Sequence, residues 1–429
     1  MKDMFRALSV YNYRLWVAGA LVSNIGTWMQ RVAQDWLVLT VLTAQSGTAV
    51  GITTGLQFLP ILILGPWAGV LGDRYSKRKI LLMTQSFMGL CALVLGLLVV
   101  TDTVQLWHVY LLALLLGVGS AVDAPARQAF VSEVVTAPDV PNAVALNAAS
   151  FNLGRLVGPG VAGLLIAWLG TGPAFLINAA SFGGVLFSLA TMKVAELHPA
   201  RRSPRAKGQM REGLRYVRNR PDLMLIMALV ALVATLTMNF QITNALMATG
   251  VFGKGPGEYG LLGTVMASGT LAAALLAARR KSVRMAYIVG AALSTGVFTI
   301  LASMAPSYWL FAFALIPIGL SALTFLNACN TMVQLTTDEA FRGRVLALYM
   351  VVMQGGTPIG APLVGWLGTA IGPRWSLAVG GIVALLAGAV ALVLLVRRRP
   401  QSWREQLRSL RPMASVAGQV HPEDRAARG

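Results

Sequence analysis

GVLGDRYSKRKILL, residues 69–82, crowds one acid and four bases, Asp73, Arg74, Lys77, Arg78 and Lys79, into fourteen positions. On both sides the chain runs apolar, over residues 47–71 and 80–101. A helix of about 20 apolar residues crosses the roughly 30 Å hydrocarbon layer of a bilayer. Only a helix or a closed barrel satisfies its backbone N–H and C=O groups there. The stretch therefore reads as a short basic turn between two membrane helices. The cost of drawing Lys and Arg through lipid keeps such a turn in the cytoplasm.

The same pattern fills the chain. Its 429 residues are 56% hydrophobic and only 12% charged, with a mean hydropathy of +0.67, far from the composition of a water-soluble domain. Apolar runs of helix length, not ten-residue alternating strands, predict twelve spans. They lie near 14–41, 47–71, 80–101, 105–133, 141–169, 172–192, 222–249, 257–278, 285–304, 307–333, 343–370 and 374–396. A net charge of +19 would, in a soluble protein, raise nucleic-acid binding first. Its distribution excludes that reading. With the amino terminus in the cytoplasm, 30 of the 35 Lys and Arg fall on that side, against Lys254 and Arg374 on the other. Arg31, Arg127 and Arg155 lie inside spans. That asymmetry predicts a multi-pass protein of the cell membrane with both termini cytoplasmic.

The longest polar interruption, residues 193–221, separates a six-helix bundle over 1–192 from a second over 222–396, with a basic tail at 397–429. Its first part, HPARRSPRAKG, reads as a linker. In the second, QMREGLRYVRNR, Met210, Leu214 and Val217 recur at i, i+4 and i+7. That spacing suits a helix on an anionic membrane surface, the alternative being a solvated basic linker. The halves resemble one another: GTAVGITTG aligns with GEYGLLGTV at an offset near 209, and GRLVGPGVAG with GGTPIGAPLVG at an offset near 199. Such repeats build two gates around a site at the membrane midplane. Cys91 and Cys329 stand alone within apolar spans and read as packing residues, with no disulfide or metal spacing. No phosphate-binding G-x-x-x-x-G-K-[ST] loop occurs, so no nucleotide cofactor is expected to drive the protein. No nucleophile and base set points to an enzyme. Span 1 lacks a cleavage signal and is expected to be retained; the protein is expected to be a monomer in the bilayer.

Gly69, Leu71, Asp73, Arg74, Arg78 and Lys79 resemble the loop signature of the major facilitator superfamily, G-x-L-x-D-r-x-G-r-k, with Ser76 in place of the second Gly. The resemblance implies a gating loop in which Asp73 pairs with neighbouring helix ends and Arg side chains. In span 5, Gly154, Gly158, Pro159 and Gly163 resemble the antiporter motif of exporters in this superfamily, with Ala162 replacing one Gly. Pro159 removes a helix hydrogen bond and the small residues allow close packing, so this helix is expected to bend and seal. NYRLWVAGALVSNIGTWMQRVAQDWLVL, DAPARQAFVSEVV and EGLRYVRNRP resemble the branch that includes the enterobactin exporter and drug-efflux proteins. The GVGSA around Gly117 lacks the arginine that many proton-coupled drug antiporters carry in span 4, so their proton relay does not transfer.

A charge at a helix centre costs roughly 2.5–3.5 kcal/mol, so ionisable residues inside spans should face a polar path or one another. In span 1, Asn24, Thr27, Arg31 and Asp35 form one stripe, with Arg31 and Asp35 at i, i+4. Asp123 and Arg127 repeat that spacing around Pro125, and Arg155 stands one turn before Pro159. Two readings stay open. The pairs are permanent and structural, or Asp35 separates from Arg31 to carry a proton while Arg31 and Arg155 attract an anionic or polar group of the substrate. The second half offers amides and hydroxyls instead: Thr235, Asn239 and Thr243, then Asn327, Asn330, Thr331 and Gln334. The expectation is an all-α major facilitator fold that exports small amphipathic organic compounds, drug or siderophore-like, against proton entry. The alternatives are an importer or facilitator of a polar solute and a non-transporting membrane receptor or scaffold.

Overall fold

The computed structural model describes residues 2–198, 209–279 and 283–398, with the backbone alone at 2–4, 66–74, 209–211, 340, 397 and 398. Among the described residues there are helices and turns but no strand. The first half comprises α1 Tyr11–Trp36, α2 Gly47–Arg74, α3 Lys77–Val100, α4 Leu106–Val134, α5 Val140–Leu169 and α6 Thr171–Thr191. A short α7, Gln209–Arg218, precedes α8 Pro221–Leu236, α9 Phe240–Leu246, α10 Pro256–Ala278, α11 Met285–Ser303, α12 Tyr308–Thr336, α13 Glu339–Ala370 and α14 Pro373–Arg398. Among the described residues eleven segments are long and apolar enough to cross a membrane. α1 makes the twelfth by length. Arg14, Arg31, Asp35 and four amides lower its hydropathy, yet Gln30, Gln34 and Asp35 are buried against neighbouring helices.

α1 packs on α5 and α6, α3 on α4 and α6, and α2 on α4; in the second half α8 packs on α13 and α14, α10 on α12, and α11 on α12 and α14. α2 on α13 and α5 on α10 join the halves. One end of the molecule carries the amino terminus and the basic turns, and is called the basic end here; the other is the neutral end. Trp107, Trp168, Trp309, Trp366 and Trp375 are all exposed and all stand at the neutral end, where amphipathic indoles suit the membrane interface.

Helices in lipid gain little from apolar burial against each other and depend on close backbone approach. The glycines supply it symmetrically. A Cβ added at Gly154 or Gly158 would lie 2.9 or 2.6 Å from Asn24 or Trp28 of α1, and one at Gly356 or Gly360 would lie 2.7 or 1.6 Å from Thr235 of α8. The register relating α5 to α13 is thus 202 residues and not 199, the offset that sets Pro159 on Pro358. The same register carries the turn glycine Gly170 (φ 78°) onto Gly372 (φ 105°), backbone that side chains with a Cβ rarely adopt.

Two further expectations are corrected. Span 7 is not one helix: α8 ends at Leu236 and α9 starts at Phe240, with Asn239 at φ −89°, ψ 41°. Side chains take over the broken backbone pattern, the Asn239 amide donating to the Thr235 carbonyl at 2.7 Å and the Thr237 hydroxyl to the Gly380 carbonyl at 2.7 Å. α7 does not present Leu214 and Val217 together. Val217 is buried while Leu214 is exposed. Tyr216 stacks on Phe341 at 4.6 Å and donates to Asp338 at 2.9 Å, and Glu212 pairs with Arg344 at 2.6 Å. The helix is docked on the α12–α13 turn. Residues 199–208 of the linker and the tail from 399 lie outside the described residues.

Candidate functional site

A cavity of about 290 Å³ lies between the halves. Trp28 and Val32 of α1, Thr54 and Phe58 of α2, and Arg155 and Pro159 of α5 form one wall. The opposite wall holds Met238, Asn239, Phe240, Gln241 and Asn244 from the broken span 7, with Tyr259 and Met266 of α10 and Leu323 of α12. The interruption of the helix at 237–239 is what turns this run of consecutive side chains toward the cavity. Irregular backbone at membrane depth is tolerated where it lines such a space.

The cavity is closed toward the neutral end. Gly51 packs on Ala361, where an added Cβ would lie 2.3 Å from the carbonyl oxygen, and Gly260 packs on Pro159 with the same 2.3 Å approach. An offset of 209 residues carries Gly51 onto Gly260, and 202 carries Pro159 onto Ala361, so the two contacts are one contact repeated. The Thr48 N–H donates to the Thr369 hydroxyl at 3.1 Å, and the Thr264 hydroxyl to the Leu156 carbonyl at 3.0 Å. From the cavity wall Tyr259 donates to Asp35 at 3.1 Å, and Trp36 stacks on its ring at 6.1 Å between centroids.

Arg31 and Asp35, one turn apart, form no ion pair. Asp35 is buried and turned to Tyr259. The Arg31 guanidinium carbon sits 4.8 Å from the Trp28 ring centre and 5.5 Å from that of Phe58, and its Nε is buried with no hydrogen-bond partner. Aromatic faces stabilise a cation without satisfying its donors. Arg155 faces the cavity half-buried, with no hydrogen bond or ion pair among the described residues. Arg155 thus stands on the cavity wall with donors to spare, and Arg31 lies behind that wall against Trp28 and Phe58.

Apart from Pro159 and Asn239, which line the cavity, the remaining expected residues lie elsewhere. Asp123 accepts from Thr84 at 2.8 Å, Gln85 at 2.6 Å and Arg127 at 3.0 Å, all inside the first half, and Arg127 lies over Trp16. Asn24 donates to Ser150 at 3.2 Å. Asn327 is half-buried beside Leu326, and Gln334 is exposed toward the basic end, bonded to Asn330. Gly154 and Gly158 hold α1, while Pro159 and Gly163 meet α10. Arg78 donates to the Leu189 and Ala190 carbonyls at 2.7 and 3.4 Å, closing the end of α6; Lys79 is exposed. The side chains of Asp73 and Arg74 and the packing around Gly69 lie outside the described residues.

Sequence reading missed Tyr259 and Asn244. Asn244 is buried, lines the cavity, and its Oδ1 has no partner. The 209-residue offset that relates α2 to α10 also carries Asp35 onto Asn244, the one signal that pointed to it.

The family described as transmembrane secretion effector matches residues 5–424. The enterobactin exporter EntS of Shigella flexneri is 28% identical over 370 residues, covering 84% of this chain and 86% of that protein. The staphyloferrin A transporter of Staphylococcus aureus is 29% identical over 175 residues, which is 41% of this chain and 42% of the relative. Among solved structures, an inward-facing, unoccupied bacterial homolog of the human lysosomal transporter Spinster superposes with a TM-score of 0.69 at 14% identity, over 89% of this chain and 96% of that one. The nucleoside transporter NupG gives 0.68 at 11% identity, over 89% and 99%. With a matching profile along nearly its whole length and this helical architecture, the chain belongs to the transmembrane secretion effector family of major facilitator transporters.

Proposed function

We propose that the protein exports small amphipathic organic compounds bearing an anionic group, siderophore-like molecules among them, by alternating access coupled to proton entry. One observation carries this reading: a cavity between the halves, closed at the neutral end, with unpaired Arg155 on one wall and Arg31 just behind Trp28 and Phe58. The basic end is assigned to the cytoplasm because Lys and Arg crowd its turns. The described state is then inward-facing and poised to load from the cell. Residues 1–192 and 222–396 act as the two rocking units, 193–221 as the linker between them, and Asp35 as the proton carrier at the outer gate. Two relatives named for siderophores, one for enterobactin export and one for staphyloferrin A transport, support the cargo class.

The test is uptake into inverted membrane vesicles of enterobactin, staphyloferrin A and a panel of amphipathic drugs, with and without an imposed proton gradient. Uptake of an anionic member that collapses with the gradient is expected. Movement in the opposite direction marks an importer, and the absence of movement of any compound marks a receptor or scaffold. Asp35→Asn should leave cargo binding in place and abolish the response to the gradient; an unchanged response removes the carrier role.

A further inference from the structure

We infer that Tyr259 is a positioning residue: by holding Asp35 it keeps Arg31 vacant for an oxyanion of the cargo, most favourably a flat carboxylate. The inference rests on the proposed role of Arg31 toward an anionic group.

Asp35 and Arg31 are four residues apart in α1, the spacing at which an acid and a base on a helix meet. They do not meet here. The acid is drawn toward Tyr259 of the opposite half at 3.1 Å, and Trp36 stacks on the same ring. The base is left between Trp28 and Phe58 with Nε enclosed and unpartnered. A buried donor left unmade is costly, so the Arg31 Nε–H favours any acceptor that reaches it. A guanidinium offers two parallel N–H groups that match a carboxylate in its own plane. The flanking rings, both lining the cavity, suit a flat body attached to that carboxylate.

Tyr259 belongs to α10, which parts from α1 and α5 when the neutral end opens. The phenol then leaves with its half, and Asp35, released, falls back one turn onto Arg31. The side chain displaces the cargo's oxyanion as the site comes to face outside. Loading and expulsion thus follow from one group changing partners: Asp35 on Tyr259 leaves Arg31 open, and Asp35 on Arg31 ejects the anion.

The experiment measures equilibrium binding of tritiated 1-naphthoate, an aromatic carboxylate of a size suited to the cavity, to full-length protein in nanodiscs. Four variants are compared with the parent: Tyr259→Phe, Asp35→Asn, the double variant, and Arg31→Gln. Tyr259→Phe keeps the ring and its stack but frees Asp35, and should weaken binding about tenfold or more. Asp35→Asn in the same chain removes the competitor and should return affinity to within about threefold of Asp35→Asn alone. That recovery also shows the Tyr259→Phe chain to be folded. Unchanged affinity in Tyr259→Phe, or a loss that Asp35→Asn does not repair, overturns the inference while the anion site survives if Arg31→Gln abolishes binding. Full binding by Arg31→Gln, or none by the parent, instead overturns the role of Arg31 and with it the inference.

Discussion

Gly260→Ala tests whether the contact of α5 with α10 is a gate or merely a packed interface. The added Cβ would sit 2.3 Å from the Pro159 carbonyl oxygen and 2.9 Å from the Gly163 Cα, both backbone, so neither can swing aside. Relieving such an overlap takes a separation of about 1 Å, and overpacking of this kind costs about 1–3 kcal/mol. If the contact exists only while the neutral end is closed, the whole cost falls on the closed state. The equilibrium then moves about 5- to 150-fold toward opening, taking an open population of about 1% to between roughly 5% and 60%. Gly51→Ala meets the Ala361 carbonyl at the same 2.3 Å and should act alike, the two adding because the sites are separate. Gly296→Ala is the control. Its Cβ would lie 2.6 Å from the Leu385 nitrogen inside the second half, so it should lower thermal stability without moving the halves. The assay is a pulsed electron-electron distance measurement between spin labels at exposed Thr103 and Met304, one in each half at the neutral end, in a chain lacking Cys91 and Cys329. A longer-distance population is expected for Gly260→Ala and Gly51→Ala. Distance distributions identical to the parent in both, with folded protein, refute the gate.

Removing the acid from the buried pair of α4 by Asp123→Ala leaves Arg127 uncompensated and should cost about 3–5 kcal/mol, read as a fall in melting temperature in detergent; a loss below about 1 kcal/mol would show that the pair is well solvated. Arg78→Ala frees the Leu189 and Ala190 carbonyls at the end of α6 and should cost about 1.5–3 kcal/mol in the same measurement, as for hydrogen bonds to a charged donor. Arg78→Lys should recover only part, since an ammonium lacks the fork. Tyr216→Ala removes both the stack on Phe341 and the bond to Asp338, and trypsin should then cut after Arg215 and Arg218 about tenfold faster through local opening of α7; equal rates would show that α7 is held by other contacts.

The membrane architecture was legible because it follows from a large, local cost. Each span announces itself by apolar length, and predicted boundaries such as 105–133 and 141–169 fall within a residue or so of α4 and α5. Even α1, the most polar of the twelve, was found, since its polar groups recur on the faces that the helix buries. The small-residue repeats are visible too, although matching Pro159 with Pro358 displaces the register by three residues. What stayed hidden depends on distances between residues far apart in the chain. Tyr259 reads as an ordinary aromatic until it is placed 3.1 Å from an acid 224 positions earlier. The break at Thr237–Asn239 contains neither Gly nor Pro, and arises because hydroxyl and amide side chains find carbonyl partners in α8 and α14. Arg31 and Asp35 carry the spacing of a pair, and only the opposing half shows why they are apart.

The symmetry of the backbone and the asymmetry of the chemistry belong together. The glycine contacts are duplicated, Gly51 on Ala361 and Gly260 on Pro159, which gives the proposed rocking of the two halves matching surfaces on both flanks. The ionisable groups are not duplicated. At the 209-residue offset Arg31 corresponds to Phe240, Asp35 to Asn244 and Tyr259 to Val50, all three buried. A second acid and base pair at membrane depth would cost roughly 2.5–3.5 kcal/mol per charge and would give the cargo two competing anchors. With Arg155 on one wall, Arg31 behind Trp28 and Phe58, and amides and thioethers on the other wall, the cavity suits the cargo proposed above, a molecule with one anionic end and an amphipathic body. On the proposed mechanism, exchange at a single pair is then enough to tie release of that end to the opening of a single gate.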